Sequence, residues 1–469
     1  MKRQLFYATT AALILAACSE PLQEAVEINT DAQSTNAKTI ELSPEELSLV
    51  ERIANQSPKI NQEKAQTSAM NLLGFKGEAS TQQMMSEVFC NPKKVYNSLT
   101  KSYNTYIDTA FYLFNTPDNN GFAILAADLR VPNQILAYSD NGSFDPNTDN
   151  PAMTFFLELA KDYVSECIAK ADAQEDSLTE SICQKLGIEN DTCQHGLKTK
   201  SKILQKIKCT TEGLPQYTIV NRGEVKPLIN TKWHQGFPFN GKCSPSPAGC
   251  APIAIAQILN YWKAPSVIKG VSVNWNIIQN GYPYNDYTEQ VASLINVIRT
   301  SVKTDANGGT EINKPLQFFK QIGFSTQSKM IDYNYKSVAD ALDKSIPVFM
   351  GGLLDKGFGG HAWIADGYLI RQVTKNETFK YCIIEELDNG TITDRFEDIP
   401  STTTTIYELL HFNWGWQGNG DGYYNKNIFD TRKQMVSNYY EDFVEIESNV
   451  KQHYYFNRDL QIITDIKPR

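Results

Sequence analysis

The chain is poor in histidine, carries no surplus of positive charge, and has no apolar run long enough to cross a membrane. Five histidines and nine cysteines, with no Cys-x-x-Cys pair and no Cys/His cluster at ligand spacing, give metal catalysis or a zinc site no donor set, so no metal and no cofactor is expected. A formal net charge of −9 without a basic stripe provides nothing to neutralise phosphates, which excludes a nucleic-acid partner and a polybasic membrane patch. Internal repeats and low-complexity blocks are also lacking.

What is present is the composition of a folded protein. A hydrophobic share of 41% can build a core without help from disulfides or metals, and 469 residues call for two to three units. The first residues read as a targeting signal. Lys2 and Arg3 precede an apolar run from Leu5 to Ala17, too short to span a bilayer. It ends in Leu15-Ala16-Ala17-Cys18, which resembles the bacterial lipobox and marks Cys18 for lipidation. The expected order is a signal peptide at 1–17, a lipidated flexible tether at 18–42, a folded unit at 43–172, a linker at 173–222 and a second unit at 223–469.

The first unit opens at Ser43-Pro44-Glu45-Glu46, a capping-box start with proline at the first helical position. Strands are predicted at 110–115, 122–127 and 135–139, then an amphipathic helix from Phe155 to Ala171. Lysines at 198, 200, 202, 206 and 208 make the linker a target for nicking. In the second unit helices come first (251–262, 287–302, 314–322, 337–344), with strands at 348–351, 361–370, 378–386 and 406–414. That order is expected for an α+β fold with segregated layers.

Four segments carry candidate chemistry. In Ala248-Gly249-Cys250-Ala251-Pro252, the cysteine sits at the start of an apolar helix, where free N–H groups and the helix dipole favour a thiolate. A buried structural cysteine is the bland alternative. In Gly359-Gly360-His361-Ala362-Trp363, a histidine at the mouth of a strand suits an acid–base residue. In His411-Phe412-Asn413-Trp414-Gly415-Trp416, Asn413 can orient an imidazole and Trp414 can cover that bond from water, while His411 is the rival base. In Trp233-His234-Gln235-Gly236-Phe237-Pro238, Gln235 can present its amide to an oxyanion beside the N–H of Cys250.

These segments, in this order, resemble the streptopain family of papain-like bacterial cysteine proteases. The matching stretches are Gln235–Asn240, Gly249–Gln257, Gly360–Gly367 and Asn413–Trp416. In the N-terminal half, Gly121–Asp128, Ile135–Ser139 and Gly142–Asp145 are similar to the family's inhibitory prodomain. The resemblance implies a papain-like catalytic domain behind an α+β prodomain that acts as an intramolecular inhibitor. It also implies a Cys250–His361 pair, Gln235 in the oxyanion hole, and Asn413 with Trp414 supporting the histidine. Protein or peptide substrates follow, cleaved after maturation within about Lys198–Arg222. Three departures bear on substrate preference: Gln417 where the family has glycine, an added hairpin or loop over 371–405, and Ala251-Pro252 after the nucleophile.

With Cys18 and Cys250 assigned, seven cysteines remain, an odd number that leaves at least one thiol unpaired within the chain. Cys183 and Cys193 can close a small loop, and a Cys243–Cys250 disulfide would disarm the nucleophile. Two rival functions stand beside the protease: an amidase acting on cell-wall peptides, and a surface lipoprotein that binds without catalysis. The expected location is the bacterial envelope, lipid-anchored, with release of the catalytic half after maturation.

Overall fold

The computed structural model describes residues 26–28, 40–73, 85–97, 102–117, 119–145, 150–185, 210–353, 360–386, 392–430 and 460–469. The signal segment, Cys18, most of the tether and the lysine-rich stretch 198–208 lie outside them, as does Cys193.

Helix α1 (Pro44–Ala54) begins as its sequence dictates: Ser43 Oγ accepts from the N–H of Glu46, and the Glu46 carboxylate accepts from the N–H of Ser43 at 2.6 Å. Asn61 caps α2 (Gln62–Leu72) from one side only, its Oδ1 accepting from the N–H of Lys64 at 2.8 Å. Strands β1 (Met85–Asn97), β2 (Ser102–Asn115), β3 (Phe122–Ala126) and β4 (Ile135–Ser139) then pair antiparallel in succession.

Helix α3 (Pro151–Lys185) runs well past the expected end near Ala171, so residues 173–185 are helix rather than linker. The reason is tertiary. Its last turns dock on α1, where Glu46 accepts hydrogen bonds from Ser181 at 2.6 Å and Lys185 at 2.7 Å, and Arg52 pairs with Glu175 at 3.2 Å. The other end of the expected linker is strand β5 (Thr210–Val225). Its partner supplies what its composition does not announce.

The second half sets helices α4 (Cys250–Trp262), α5 (Trp275–Asn280), α6 (Tyr284–Ser301), α7 (Lys314–Gln321) and α8 (Tyr335–Leu342) before and between its strands. Those strands are β6 (Ile331–Asp332), β7 (Val348–Leu353), β8 (Gly360–Glu386), β9 (Ile392–Asn413), β10 (Gly422–Asn425) and β11 (Gln461–Ile463). The structure is thus a mixture of helices and sheets, as the order of elements implied. Strands β7 and β5 lie end to end along one side of β8, and β9 covers the other. The lengthened segment 371–405 is the continuation of the β8–β9 hairpin. Arg371 is ten residues beyond His361, roughly 30 Å along the strand, so the added length leads away from the start of β8 rather than over it.

Among the described residues, one sheet joins both halves in the order β6-β11-β7-β8-β9-β10-β4-β3-β2-β1, with β5 added to β8. At the join Tyr138 opposes Tyr423 and Ala137 opposes Tyr424. The Tyr138 and Tyr423 rings stack 5.4 Å apart, and Phe156 of α3 meets Tyr424 at 4.7 Å. One buried cluster therefore contains Phe144, Phe155 and Phe156 from the first half with Trp363, Phe412 and Trp414 from the second. A separate cluster packs α4 and α6 against Phe349, Ile364 and Ile463 of the sheet. It holds the start of α4 against the start of β8.

Candidate active site

Gly249 takes φ +91°, and a Cβ there would stand 2.9 Å from the carbonyl oxygen of Gly308. Only glycine satisfies both constraints, and the turn it makes delivers Cys250 as the first residue of α4. The helix behind it, Ala251 through Asn260, is buried, which fixes the half-buried thiol in place. The N–H groups of Ala362 and Ala251 reach its sulfur. Since Ala362 follows His361, the thiol lies against the mouth of β8. Burial pushes the Cys250 thiol above its ordinary pKa despite those N–H groups. Desolvation and the N–H groups at the helix start thus act on this thiol in opposite directions. Cys243 and Cys250 are not joined; the Cys243 thiol instead points at the carbonyls of Ser246 and Pro247.

His361 is 4% exposed, and its Nε2 lies 3.0 Å from the main-chain oxygen of Trp414. A carbonyl only accepts, so Nε2 carries the hydrogen and Nδ1 keeps the lone pair. Nδ1 is buried without a partner. Burial lowers the imidazole pKa to about 4, with the Trp414 carbonyl opposing in part. The imidazole is thus held neutral, with its basic nitrogen uncommitted.

Asn413 does not orient this imidazole. Its Oδ1 accepts from Gln257 Nε2 at 3.0 Å and from the N–H of Gly415 at 3.1 Å, and its Nδ2 donates to the Thr231 carbonyl at 2.8 Å. Gln257 completes the bracket by accepting from the Thr231 hydroxyl at 2.7 Å. Asn413 therefore ties β9, α4 and the segment before Gln235 together, while the neighbouring peptide takes the histidine. Trp414 is fully buried, its ring 6.1 Å from that of His361 and 5.1 Å from Trp363.

The carbonyl of Gln235 accepts from the N–H of Ala248 at 2.8 Å, which secures this segment to the turn before the nucleophile. Gln235 lines a groove with Gly236, Asn240, Pro247, Trp416 and Gln417. Neither Cys250 nor His361 belongs to its lining.

Residues 233–424 match the Peptidase C10 family, and residues 57–164 match the Spi protease inhibitor. This chain belongs to the peptidase C10, or streptopain, family. A curated relative is the thiol protease/hemagglutinin PrtT of Porphyromonas gingivalis, 22% identical over 367 aligned residues. The match takes in 69% of this chain and 34% of that protein, so the chain corresponds to about a third of its relative's length.

Against the C10 pattern, Gln417 replaces a glycine yet keeps a left-handed backbone, with φ +60°. The turn is preserved at some strain, and a side chain is added to the groove wall. His411, the rival base, is held by its Nδ1 at 2.6 Å from Asp366, whose other oxygen accepts from the N–H of Ile229 at 3.0 Å. Burial opposes charge on His411, but Asp366 prevails and raises its pKa. This is a structural pair, with the His411 ring packed edge-on against Tyr423 at 5.1 Å.

Sequence reasoning missed two features. The Trp414 carbonyl has no side-chain signature. Asp421 accepts from the N–H of that same residue at 2.8 Å, and its only signal was an acidic residue between Gly420 and Gly422.

Proposed function

We propose that this chain is a cysteine endopeptidase made as a latent precursor. The observation that carries the reading is that the N–H of Ala362 reaches the Cys250 sulfur while the Nδ1 of the preceding residue, His361, is buried and uncommitted. On exposure of the site to water and substrate, Nδ1 takes the Cys250 proton and the thiolate attacks the scissile carbonyl. The oxyanion is met by the N–H of Cys250 and the amide of Gln235. The imidazolium of His361 then protonates the leaving amine, and water, activated by the same nitrogen, hydrolyses the thioester. Throughout, Nε2–H remains on the Trp414 carbonyl, which preserves the tautomer.

Latency is supported by the burial of His361 and by the shared packing of the two halves. The N-terminal half acts as the intramolecular inhibitor, and cleavage falls in the segment between α3 and β5. Proteins or peptides are the substrates. Cys18 carries the lipid that tethers the precursor at the bacterial envelope, and the catalytic half is released from it after maturation.

The test is intact-mass labelling with a peptidyl epoxide before and after limited trypsin treatment. One adduct on Cys250, appearing only after cleavage between α3 and β5, is the expected result. Lack of any adduct on Cys250 under reducing conditions, cut or uncut, defeats the proposal. Lipidation is read separately, as a mass increment on Cys18 that a Cys18→Ala variant loses.

A further inference from the structure

Arg299 stands in the last turn of α6, at the edge of the face that buries Val291, Leu294, Ile295 and Ile298. A spacing of four from Ile295 turns its side chain toward the same core, and the residue is only 8% exposed. Burying a guanidinium is costly unless its donors are met. Here they are met by main-chain oxygens. Nη1 donates to the carbonyls of Pro247 at 2.6 Å and Ala248 at 3.3 Å, and Nη2 donates to the carbonyl of Asp305. A planar fork of donors suits oxygens on two separate segments, which a single ammonium cannot span at once.

We propose that Arg299 is a positioning residue for the oxyanion hole, holding the turn before Cys250 and the loop 305–309 as one piece around Gln235. The inference rests on the cysteine–histidine reading above and deepens it.

Ala248 is the residue that connects the two oxyanion donors. Its N–H is received by the Gln235 carbonyl at 2.8 Å, and the N–H of Cys250 lies two residues further on. Residues 226–249 form neither helix nor strand, so single hydrogen bonds from elsewhere must fix them. The loop supplies the other wall. A Cβ on Gly308 would stand 3.3 Å from Gly249 Cα and 3.6 Å from Gln235 Oε1, so this glycine lies against both the turn and the oxyanion side chain. The loop keeps its own shape, since Asp305 Oδ1 accepts from the N–H groups of Asn307 at 2.8 Å and Gly309 at 2.9 Å. Its bond to Arg299, through the Asp305 carbonyl, fastens it to the turn.

Without the guanidinium, the Pro247, Ala248 and Asp305 oxygens lose their shared donor, and the turn can part from the loop. A shift of about 1 Å at a catalytic donor is enough to forfeit much of its effect. The contact of Cys250 with β8, through the N–H of Ala362, does not involve these atoms.

The experiment uses the full chain after limited trypsin treatment, as the parent, Arg299→Ala, Arg299→Lys, Gln235→Ala and the double variant of Arg299→Ala with Gln235→Ala. The readouts are kcat/KM on a peptide substrate, the inhibition constant of a peptidyl aldehyde, and the rate at which iodoacetamide labels Cys250. The aldehyde adds the Cys250 thiol across its C=O, which places an oxygen in the oxyanion hole. Iodoacetamide loses iodide to the sulfur and places none there. Arg299→Ala is expected to lose about ten- to a hundredfold in kcat/KM and in aldehyde affinity, with labelling within about twofold of the parent. Arg299→Lys falls between the two. Gln235→Ala then costs less in the Arg299→Ala background than in the parent, because both changes act on one structure. A merely structural role lowers every readout together and leaves the cost of Gln235→Ala unchanged. That outcome overturns the inference, as does parent-like hydrolysis in Arg299→Ala. If Arg299→Ala fails to fold, equal losses of labelling and of aldehyde affinity in Arg299→Lys overturn it. A parent whose Cys250 is unlabelled overturns the cysteine–histidine reading and this inference with it.

Discussion

Asn413 and Thr231 are joined side chain to main chain at 2.8 Å, and that bond removes Asn413 from the role a papain-like pattern assigns it. The asparagine braces the floor of the site, and the histidine is supported by the next peptide along. Asn413→Ala leaves a buried donor on Gln257 and a buried acceptor on Thr231, which costs about 1–3 kcal/mol. Urea unfolding should register that loss, while the pH dependence of Cys250 alkylation stays as in the parent. A moved pH profile would return the asparagine to the imidazole.

The turn before the nucleophile admits no side chain. Gly249→Ala meets the Gly308 oxygen and the Thr304 methyl, each at 2.9 Å, in a backbone conformation already unfavourable to alanine. A stability loss of at least about 1–3 kcal/mol is expected, together with loss of epoxide labelling at Cys250. Thermal unfolding and labelling measured on one preparation check both.

Acid should loosen the closed site through His361. Its pKa drops from 6.5 unfolded to about 4 folded, so between these values the unfolded chain binds a proton that the folded chain refuses. Stability is therefore full above pH 6.5 and falls as the pH descends toward 4. At pH 5 this one residue removes about 2 kcal/mol. The difference in urea midpoint between pH 7 and pH 5 should be larger for the parent than for His361→Gln. Equal differences would mean that the imidazole is not held neutral by burial.

Cutting the chain between α3 and β5 should not by itself part the two halves. Phe155 lies 5.4 Å from Trp363, Phe156 lies 4.7 Å from Tyr424, and β4 is hydrogen-bonded to β10. The cut protein is expected to elute as one species in native size-exclusion chromatography and as two in urea. Phe156→Ala, at a cost of about 3–5 kcal/mol in a packed core, should shift that separation to lower urea. Spontaneous separation after cleavage would show the common core to be weaker than its packing implies.

Much of the fold was legible because local rules act locally. Ser43 and Glu46 announce the start of α1, Pro252 and the apolar stripe after Cys250 announce α4, and the hairpin at Pro117–Gly121 announces β2 and β3. The end of α3 and the whole of β5 were not legible. Their stability comes from Glu46, Arg52 and β8, far away in sequence. At the site the same division holds. Cys250, His361 and Gln235 are recognisable as side chains in characteristic company. The Trp414 carbonyl is main chain and leaves no mark in a sequence. The helix start at Cys250 can be read from residues, whereas the burial that acts on its thiol cannot.

The four-residue strand Gly422–Asn425 has its second neighbour only because the N-terminal half lends it one. Were that half to leave, as the proposed maturation requires, the sheet would end at Gly422–Asn425, whose main-chain groups on the side of Ile135–Ser139 would lose their partners. Unpaired margins recruit extended chains, and proteins ordinarily blunt them with charge, proline or brevity. This one is short but aromatic, and it lies next to the loop that carries Asp421. On the proposed maturation, an internal strand would become an edge strand, and a released catalytic half would offer another polypeptide a place to add on at Gly422–Asn425.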